Sequence, residues 1–474
     1  MNEWGNSFHQ LKQGRNILVT GPLAVVTAWA DAVNLLMTDG FKPWEHQEYI
    51  ASFIQNRQGA LILAEMATGK SVATLIGLKL GNREIELIDL TTGTVKARAD
   101  RLREVVASKT TSDKLFYVNH ESVWRPEMLK ALREINLSAF VVDECHRIKT
   151  PSSKISNLCK KVIDWWPRAK RVGLTGTPCP KDPRDIYAQF RFVDPTLLGT
   201  NFRRFVDSIA IMHPKFHSKV EHWKDDGMKA LTEVVSKNSV QLRADDCVSL
   251  PEEIHRVVPV TLSKETRAFY AELEDEMIVK IGSGEVRVEN ALSKTLRLRQ
   301  AVNGKMTIEH EDGSTSIADI NGVPEKRKAL EELLDGIHPD EPVVVFAEFT
   351  SDLREIEAAA EATGREYREL SGGRKQHGDW DRGVLGTQIR AGGTGVNLSA
   401  ARVCIFYSNS WSLADYKQAI ARIRRTTQKS KKCFYAHLVA TNSVDQIVRR
   451  SLESKQKVVD RVVDGLRQQL KATA

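Results

Sequence analysis

The chain has 474 residues, of which 41% are hydrophobic and 27% are charged. This composition is that of an ordinary soluble globular protein, and it excludes disordered, collagen-like and coiled-coil structure for most of the length. At roughly 100–200 residues per domain, the length predicts about two to four domains. The formal net charge is +8, and a basic excess is more frequent in proteins with a polyanionic partner.

The basic excess lies at the C-terminal end of the chain. Residues 413–474 hold 14 Lys+Arg and 5 Asp+Glu, so this segment carries +9 and the first 412 residues sum to −1. Both a solvated basic surface and a contact with a polyanion are compatible with this distribution. The six cysteines form no CxxC pair, which predicts reduced thiols in a cytosolic compartment and neither a zinc knuckle nor a disulfide framework.

The N-terminal segment partly imitates a secretion signal. Lys12 and Arg15 precede an uncharged stretch over residues 16–30. Gly21-Pro22 interrupts the apolar run, which is also too short to span a membrane. We therefore predict a strand at 17–20, a turn at Gly21-Pro22 and a helix from about Leu23.

Short apolar runs alternate with helical patterns through most of the chain. The predicted strands are Ala60–Leu63, Glu86–Leu90, Ala139–Val142, Arg171–Leu174, Val343–Phe346 and Val403–Tyr407. This alternation predicts an α/β fold with parallel sheets covered by helices on both faces. We predict an N-terminal extension (1–40), a first lobe (41–198), a helical insertion and linker with a hairpin near 311–313 (199–324), and a second lobe with a basic C-terminal helix (325–474).

The first chemical pattern is the segment AEMATGKS at residues 64–71, between a predicted strand and a helix predicted over 72–80. A loop that opens a helix offers backbone N–H groups to phosphate. Lys70 would reach the β- and γ-phosphates, and the Ser71 hydroxyl would hold Mg²⁺. The general pattern has glycine at the position of Ala64, so this segment alone is a moderate indication. The other candidates for phosphate binding are the loop residues Met66, Ala67, Thr68 and Gly69.

The second pattern is the run VVDECH at residues 141–146. Asp143 follows an apolar strand and can bind Mg²⁺ through water, while Glu144 can orient or deprotonate an attacking water. A simple acidic turn at a strand end is the alternative interpretation. The phosphate loop upstream favours a nucleotide-hydrolysing core.

A third motif, GLTGTP at residues 173–178, follows the first two in the chain. In this order the motifs resemble helicase superfamily two, and within it the Swi/Snf-like ATPases of the DEAD/DEAH-box type. The resemblance implies two tandem RecA-like lobes. It also implies that Gln47 reads adenine and that His146, Thr175 and Thr177 couple nucleotide binding to movement.

The second predicted lobe extends the resemblance. Residues 343–349 (VVVFAEF), 392–398 (GGTGVNL) and the series Gln418, Arg422, Arg425 and Gln428 are similar to family motifs. The resemblance implies that Arg422 and Arg425 are arginine fingers, since guanidinium groups stabilise charge on a transferring phosphate. It assigns Gly395 and Gln418 to nucleotide binding. It also implies nucleic-acid contacts at Thr394, Asn397 and Trp411. The basic cluster at residues 429–432 adds Lys431 and Lys432 as candidates for contact with DNA.

The sequence departs from the family pattern at several places. Ala67 and Thr427 stand at positions that are usually glycine. Residues 17–29 (ILVTGPLAVVTAW) resemble a family motif that normally follows the phosphate loop, whereas here they precede it. Duplication, rearrangement and coincidence are the three alternative explanations for this order.

The resemblance implies an ATP-dependent motor that moves on or remodels DNA, with ATP and Mg²⁺ bound between the lobes. Double-stranded DNA is the expected partner, with single-stranded DNA or RNA as alternatives, and a prokaryotic or viral cytoplasmic protein without a membrane partner is expected. A true helicase or strand-annealing enzyme is one alternative function. A non-hydrolysing DNA-binding regulator is another, but it predicts the loss of Lys70, Asp143 or Glu144, and all three are present.

Overall fold

The computed structural model describes residues 14–23, 26–80, 84–108, 110–216, 219–275, 278–281, 284–287, 291–310, 314–390 and 396–464. The chain divides into two compact units. The first holds the residues up to Val248 together with those from Lys455, and the second holds Ser249–Ser454. No helix in the described ranges is long and apolar enough to cross a membrane.

The first unit is built on short, buried strands. Its strands are β1 (Asn16–Gly21), β2 (Gly59–Ala64), β3 (Ile85–Asp89), β4 (Asp113–Asn119), β5 (Ala139–Asp143), β6 (Lys170–Thr175), β7 (Ala210–Met212), β8 (Val220–Trp223) and β9 (Ser239–Leu242). Seven of them form one parallel sheet in the order β3-β4-β1-β5-β6-β2-β9. All five residues of β5 are buried, as expected for a strand with helices on both faces of its sheet.

Helices follow most of these strands. They are α1 (Val26–Leu36), α2 (Glu45–Gln55), α3 (Lys70–Gly77), α4 (Val95–Ala107), α5 (His120–Val123), α6 (Pro126–Arg133), α7 (Lys154–Trp165), α8 (Tyr187–Val193), α9 (Phe202–Ile209), α10 (Asp225–Asn238) and α11 (Ala244–Cys247). Short 3₁₀ turns lie at Cys145–Ile148 and Pro183–Ile186. Two apolar clusters cover the sheet.

The second unit repeats the parallel design. Its strands are β10 (Glu252–Val260), β11 (Ile278–Ile281), β12 (Gly284–Arg287), β13 (Lys305–Glu309), β14 (Thr315–Asp319), β15 (Val343–Ala347), β16 (Tyr367–Leu370), β17 (Val384–Gln388), β18 (Val403–Phe406) and β19 (Lys432–Ala440). Its helices are α12 (Lys264–Asp275), α13 (Ala291–Val302), α14 (Glu325–Asp335), α15 (Thr350–Ala362) and α16 (Leu413–Ile423). A further helix, α17 (Val444–Asp464), begins in the second unit, and its residues from Lys455 onward belong to the first unit. Six strands form a parallel sheet in the order β10-β19-β18-β15-β17-β16.

The predicted fold class is confirmed, since both main sheets are parallel and flanked by helices. All seven strands predicted by residue range are present. The middle region differs from the predicted helical insertion because β11 to β14 form a four-stranded antiparallel sheet. Strands β13 and β14 flank the predicted hairpin turn, whose residues 311–313 lie outside the described ranges.

The N-terminal residues belong to the first sheet and do not form a separate extension. Strand β1 lies between β4 and β5, with Ile17 opposite Ala139 and Asn16 opposite Lys114. The family-like segment 17–29 therefore occupies the place next to the strand that carries Asp143. This placement favours rearrangement over coincidence as the origin of the unusual motif order.

Candidate functional site

The phosphate-loop segment has the expected strand–loop–helix form. Strand β2 ends at Ala64, and α3 begins at Lys70. The Lys70 ammonium donates to the carbonyls of Ala64 at 2.7 Å and Glu65 at 3.0 Å. The buried Thr68 hydroxyl also donates to the Glu65 carbonyl, at 2.8 Å. The loop is therefore closed by its own side chains, and the first N–H groups of α3 remain available to a phosphate.

Two loop residues adopt left-handed backbone conformations. Gly69 has φ +71° and Ala67 has φ +67°. Glycine adopts this conformation at no steric cost, whereas alanine is strained by about 1–2 kcal/mol. The loop with Ala67 therefore keeps the backbone shape that suits glycine and accepts strain at this residue.

Gln47, the predicted adenine reader, lies directly against the loop. A Cβ atom added at Gly69 would come within 2.2 Å of Gln47 Nε2. The Gln47 side-chain oxygen accepts from the Trp44 N–H at 3.0 Å, at the start of α2. Glycine is thus favoured at position 69 by its left-handed conformation, and any larger residue would also displace the Gln47 side chain.

The two carboxylates of the second motif lie at the end of β5. Asp143 Oδ2 accepts from the Trp29 indole N–H at 2.8 Å, and Asp143 Oδ1 accepts from the Glu144 N–H at 2.9 Å. Glu144 has φ +51° and turns the chain into the 3₁₀ turn at Cys145–Ile148. Its Oε2 atom lies 3.2 Å from His146 Nδ1.

His146, Thr175 and Thr177 come together, as their predicted coupling role requires. His146 Nδ1 lies 3.0 Å from the Thr175 hydroxyl and 3.4 Å from the Thr177 hydroxyl. The Thr177 N–H donates to the Thr175 hydroxyl at 3.1 Å. Because His146 also faces Glu144, this network joins the end of β5 to the end of β6.

The two carboxylates have opposite pKa shifts. Burial and the neighbouring charge of Glu144 raise the pKa of Asp143 to about 6, although the Trp29 hydrogen bond and the Lys70 charge act in the other direction. Burial also raises the pKa of Glu144, but His146 and Lys70 outweigh it and leave that pKa below its ordinary value. Lys70 thus acts electrostatically on both carboxylates, so the loop and the strand end form one charged site.

Sequence reasoning missed a second group of residues around Asp143. Trp29 is fully buried. His120, also buried, places Nε2 2.9 Å from the Asp143 carbonyl and Nδ1 3.1 Å from the Thr20 hydroxyl. Burial lowers the pKa of His120 to about 3, so its ring is neutral at pH 7. The family-like segment 17–29 was the one available signal, since it contains Thr20 and Trp29.

The site offers few protein ligands for a metal. Within the described residues, no group of three or more His, Cys, Asp or Glu side chains could hold an ion. Mg²⁺ at a nucleotide usually takes one or two protein oxygens and completes its shell with water and phosphate oxygens. The Ser71 hydroxyl at the start of α3 and the Asp143 carboxylate fit that requirement.

In the second unit, the predicted arginine finger Arg422 lies in α16 and is buried, and its side chain is not fully hydrogen-bonded. The residue is 4% exposed, and Nη1 has no hydrogen-bond partner among the residues the structure describes. Burial and the charge of Arg425 lower the pKa of Arg422 to about 9. Arg425 Nε donates to the Ala421 carbonyl at 3.1 Å. Gln418 lies on the same helix and is half-buried.

The predicted nucleic-acid residues are only partly described. Thr394 and the nucleotide candidate Gly395 lie outside the described ranges. Asn397 is exposed, and its amide lies 3.4 Å from the Thr427 hydroxyl. Lys431 and Lys432 are exposed, and Lys432 pairs with Glu252 at 3.3 Å. Trp411 is half-buried just before α16.

Comparison with sequence families settles the relationship. The family described as the SNF2-related domain matches residues 6–307. The chain belongs to the SNF2-related family. The helicase conserved C-terminal domain matches residues 325–427. These assignments confirm the predicted resemblance and identify the chain as a nucleic-acid-dependent ATPase, which is a hydrolase.

Individual relatives show how much of the chain is shared. Protein p41 of Acyrthosiphon pisum secondary endosymbiont phage 1 is 26% identical over 86% of this chain and 88% of its own. DNA repair protein rhp54 of Schizosaccharomyces pombe is 26% identical over 70% of this chain, which spans 43% of that larger protein. A Sulfolobus solfataricus SWI2/SNF2 ATPase core, solved in complex with dsDNA, is 18% identical and covers 90% of this chain and 94% of its own, with a TM-score of 0.37.

Proposed function

We propose that this SNF2-related ATPase hydrolyses ATP in response to double-stranded DNA and uses the energy to move along or remodel the duplex. The observation that carries the proposal is the charged site of the first unit. There Lys70 acts on both Asp143 and Glu144, and Glu144 faces the network of His146 with Thr175 and Thr177.

Each group has a proposed role in the reaction. The N–H groups at the start of α3 and the Lys70 ammonium bind the phosphates, and Gln47 holds the base. The Ser71 hydroxyl and Asp143 hold Mg²⁺, which neutralises charge on the phosphate oxygens when it is bound. Glu144 orients the attacking water and accepts its proton, and the lowered pKa keeps it ionised for that purpose.

Arg422 and Arg425 are proposed to bind phosphate oxygens as negative charge develops on them. A buried guanidinium is costly unless an anion pairs with it. Arg422 is such a guanidinium within its own unit, because it is buried and its Nη1 atom lacks a hydrogen-bond partner among the described residues. A phosphate is a suitable anion because guanidinium groups match its geometry.

DNA is proposed to contact the second unit through its exposed basic and polar residues. Asn397, Lys431 and Lys432 are exposed. Contacts to the phosphodiester backbone are independent of base sequence and weaken strongly with salt. We therefore expect little sequence preference and a steep loss of DNA stimulation as salt increases.

The test is ATP hydrolysis by the purified chain alone and with duplex DNA, single-stranded DNA or RNA. We expect duplex DNA to give the largest stimulation, with a triplex-displacement signal and little separation of forked strands. Unwinding of the fork would instead support a true helicase. A chain that binds DNA but shows no hydrolysis with any nucleic acid would be a binding regulator, and the motor proposal would be wrong.

A further inference from the structure

Trp29 is a buried tryptophan whose polar atom is directed at a functional side chain. Its indole N–H donates to Asp143 Oδ2 at 2.8 Å, and the residue is fully buried. The other carboxylate oxygen accepts from the Glu144 N–H at 2.9 Å. Each oxygen of Asp143 therefore accepts one hydrogen bond from a neutral donor, and rotation of the carboxylate would break both hydrogen bonds.

The position of Trp29 is itself fixed by long-range contacts. Trp29 lies on α1, and the preceding strand β1 is paired on both sides in the sheet. Between β1 and α1, the Pro22 carbonyl accepts from the Tyr117 hydroxyl at 2.7 Å. The indole ring belongs to the apolar cluster on this face of the sheet. A ring held in this way cannot follow a rotation of the Asp143 side chain.

Trp166, in the same unit, shows the contacts expected of a buried tryptophan with a purely structural role. Trp166 is also buried, and its indole N–H donates to a backbone carbonyl, that of Ile135, at 2.9 Å. This contact satisfies the indole without involving a functional group, as buried tryptophans usually do. Trp29 differs because its acceptor is the carboxylate at the end of β5.

We propose that Trp29 is a positioning residue that fixes the orientation of the Asp143 carboxylate and thereby sets the affinity of the site for a divalent cation. The inference rests on the proposed function, in which Asp143 helps to hold Mg²⁺. Donors that orient a metal-binding carboxylate commonly change metal affinity by roughly 10-fold or more when they are removed. The rearranged N-terminal segment is then a functional part of the ATPase site.

The test compares Trp29→Phe with the matched variant Trp166→Phe in the full-length chain. Each substitution removes one buried indole N–H and retains an aromatic ring. Mn²⁺ binding in the presence of ADP is measured by electron paramagnetic resonance, and ADP binding without metal is measured by calorimetry. We expect Trp29→Phe to weaken Mn²⁺ binding roughly 10-fold with metal-free ADP affinity unchanged, and Trp166→Phe to change neither.

A second measurement follows the Mg²⁺ concentration that half-saturates ATP hydrolysis, which we expect to rise by a similar factor in Trp29→Phe alone. If Trp29→Phe does not fold, replacement of Trp29 by 3-benzothienylalanine removes the N–H from a ring of the same shape. Wild-type metal affinity in a folded Trp29 variant overturns the inference, even if thermal stability falls. If the wild-type chain neither binds Mn²⁺–ADP nor hydrolyses ATP, the proposed function fails with it.

Discussion

The two units differ in how they hold two buried charged residues of the proposed site, Asp143 and Arg422. In the first unit, each oxygen of Asp143 has a hydrogen-bond donor from the chain. In the second unit, Arg422 is equally buried, but its Nη1 atom has no partner among the described residues. The chain therefore supplies its own hydrogen-bond donors to Asp143, whereas it leaves Arg422 as a buried cation suited to an external anion.

The largest expected effect concerns Glu144, the proposed base in the first unit. Glu144→Gln keeps the shape of the side chain but removes proton acceptance, so we expect ATP hydrolysis to fall by about 10²–10⁴-fold while ATP binding persists. Steady-state hydrolysis and nucleotide calorimetry measure the two quantities. Glu134→Gln, an exposed carboxylate paired with Arg103, is the control. Normal turnover by Glu144→Gln would refute the assignment of the base.

The second prediction separates activity from stability in the second unit. Arg422→Met removes a buried cation with an unpaired atom, so we expect the free energy of unfolding to stay constant or rise. ATP hydrolysis should fall by about 10³-fold if Arg422 is a finger. Both are measured on one preparation, by denaturant titration and by phosphate release.

Arg424→Met is the matched variant for that experiment. Arg424 donates to the Pro251 carbonyl at 2.7 Å and pairs with Glu253 at 3.2 Å. Its replacement should therefore lower the free energy of unfolding, by about 1–3 kcal/mol. If Arg422→Met is the more destabilised variant, the contrast between the two units does not hold.

The third prediction concerns acid sensitivity, which the two units should share. Burial lowers the pKa of His437 in the second unit to about 3, as it does for His120 in the first. Below the ordinary value of 6.5 the unfolded chain takes up a proton that the folded chain does not, so stability is lost as pH falls from 6.5 towards 3. The full effect is about 5 kcal/mol per histidine.

His437→Phe tests this in the second unit. The ring of His437 stacks on Phe406 with centroids 4.8 Å apart, so phenylalanine retains the packing. His255 and Tyr416 also face it, with His255 Nδ1 3.3 Å from His437 Nε2. Denaturant titrations from pH 7.5 to 4.5 should show the variant gaining stability relative to wild type as pH falls. The exposed control His338→Gln should give no such gain.

The smallest effect is expected in the phosphate loop. Ala67→Gly removes the strain of φ +67° but increases the freedom of the unfolded chain, so we expect a gain in stability below about 1 kcal/mol. Gly69→Ala should lower stability and ATP affinity, because its Cβ would meet Gln47. Thermal melts with and without ATP measure both changes. A loss of more than about 1 kcal/mol in Ala67→Gly, which is the most that the added freedom of the unfolded chain explains, would show that Ala67 is not strained.

Local patterns predicted seven of the nineteen described strands by residue range, and these include the strands that end at the phosphate loop and at Asp143. The apolar run before Asp143 places both carboxylates at the end of β5, and the loop before Lys70 opens α3. What sequence reasoning missed depends on contacts between distant residues. Trp29 meets Asp143 across 114 positions, and Thr20 meets His120 across 100. No periodicity or spacing encodes such contacts.

The order of the strands within each sheet was not predicted from the sequence either. Strand β1 was predicted from its own apolar run, but its central place depends on pairing with β4 and β5. The sheet of β11 to β14 was missed apart from one hairpin, since its short, charged strands give a weak alternation pattern.

The central place of β1 also has a consequence for biosynthesis. This strand leaves the ribosome before both of its neighbours, and the last of them, β5, begins at Ala139. At a synthesis rate of about 5–20 residues per second, β5 is made on the order of ten seconds after β1. During this time its apolar side chains have no sheet to join, and the pairing finally made is of high contact order. Folding of the first unit should therefore be slow and should benefit from chaperones that shield an early hydrophobic strand.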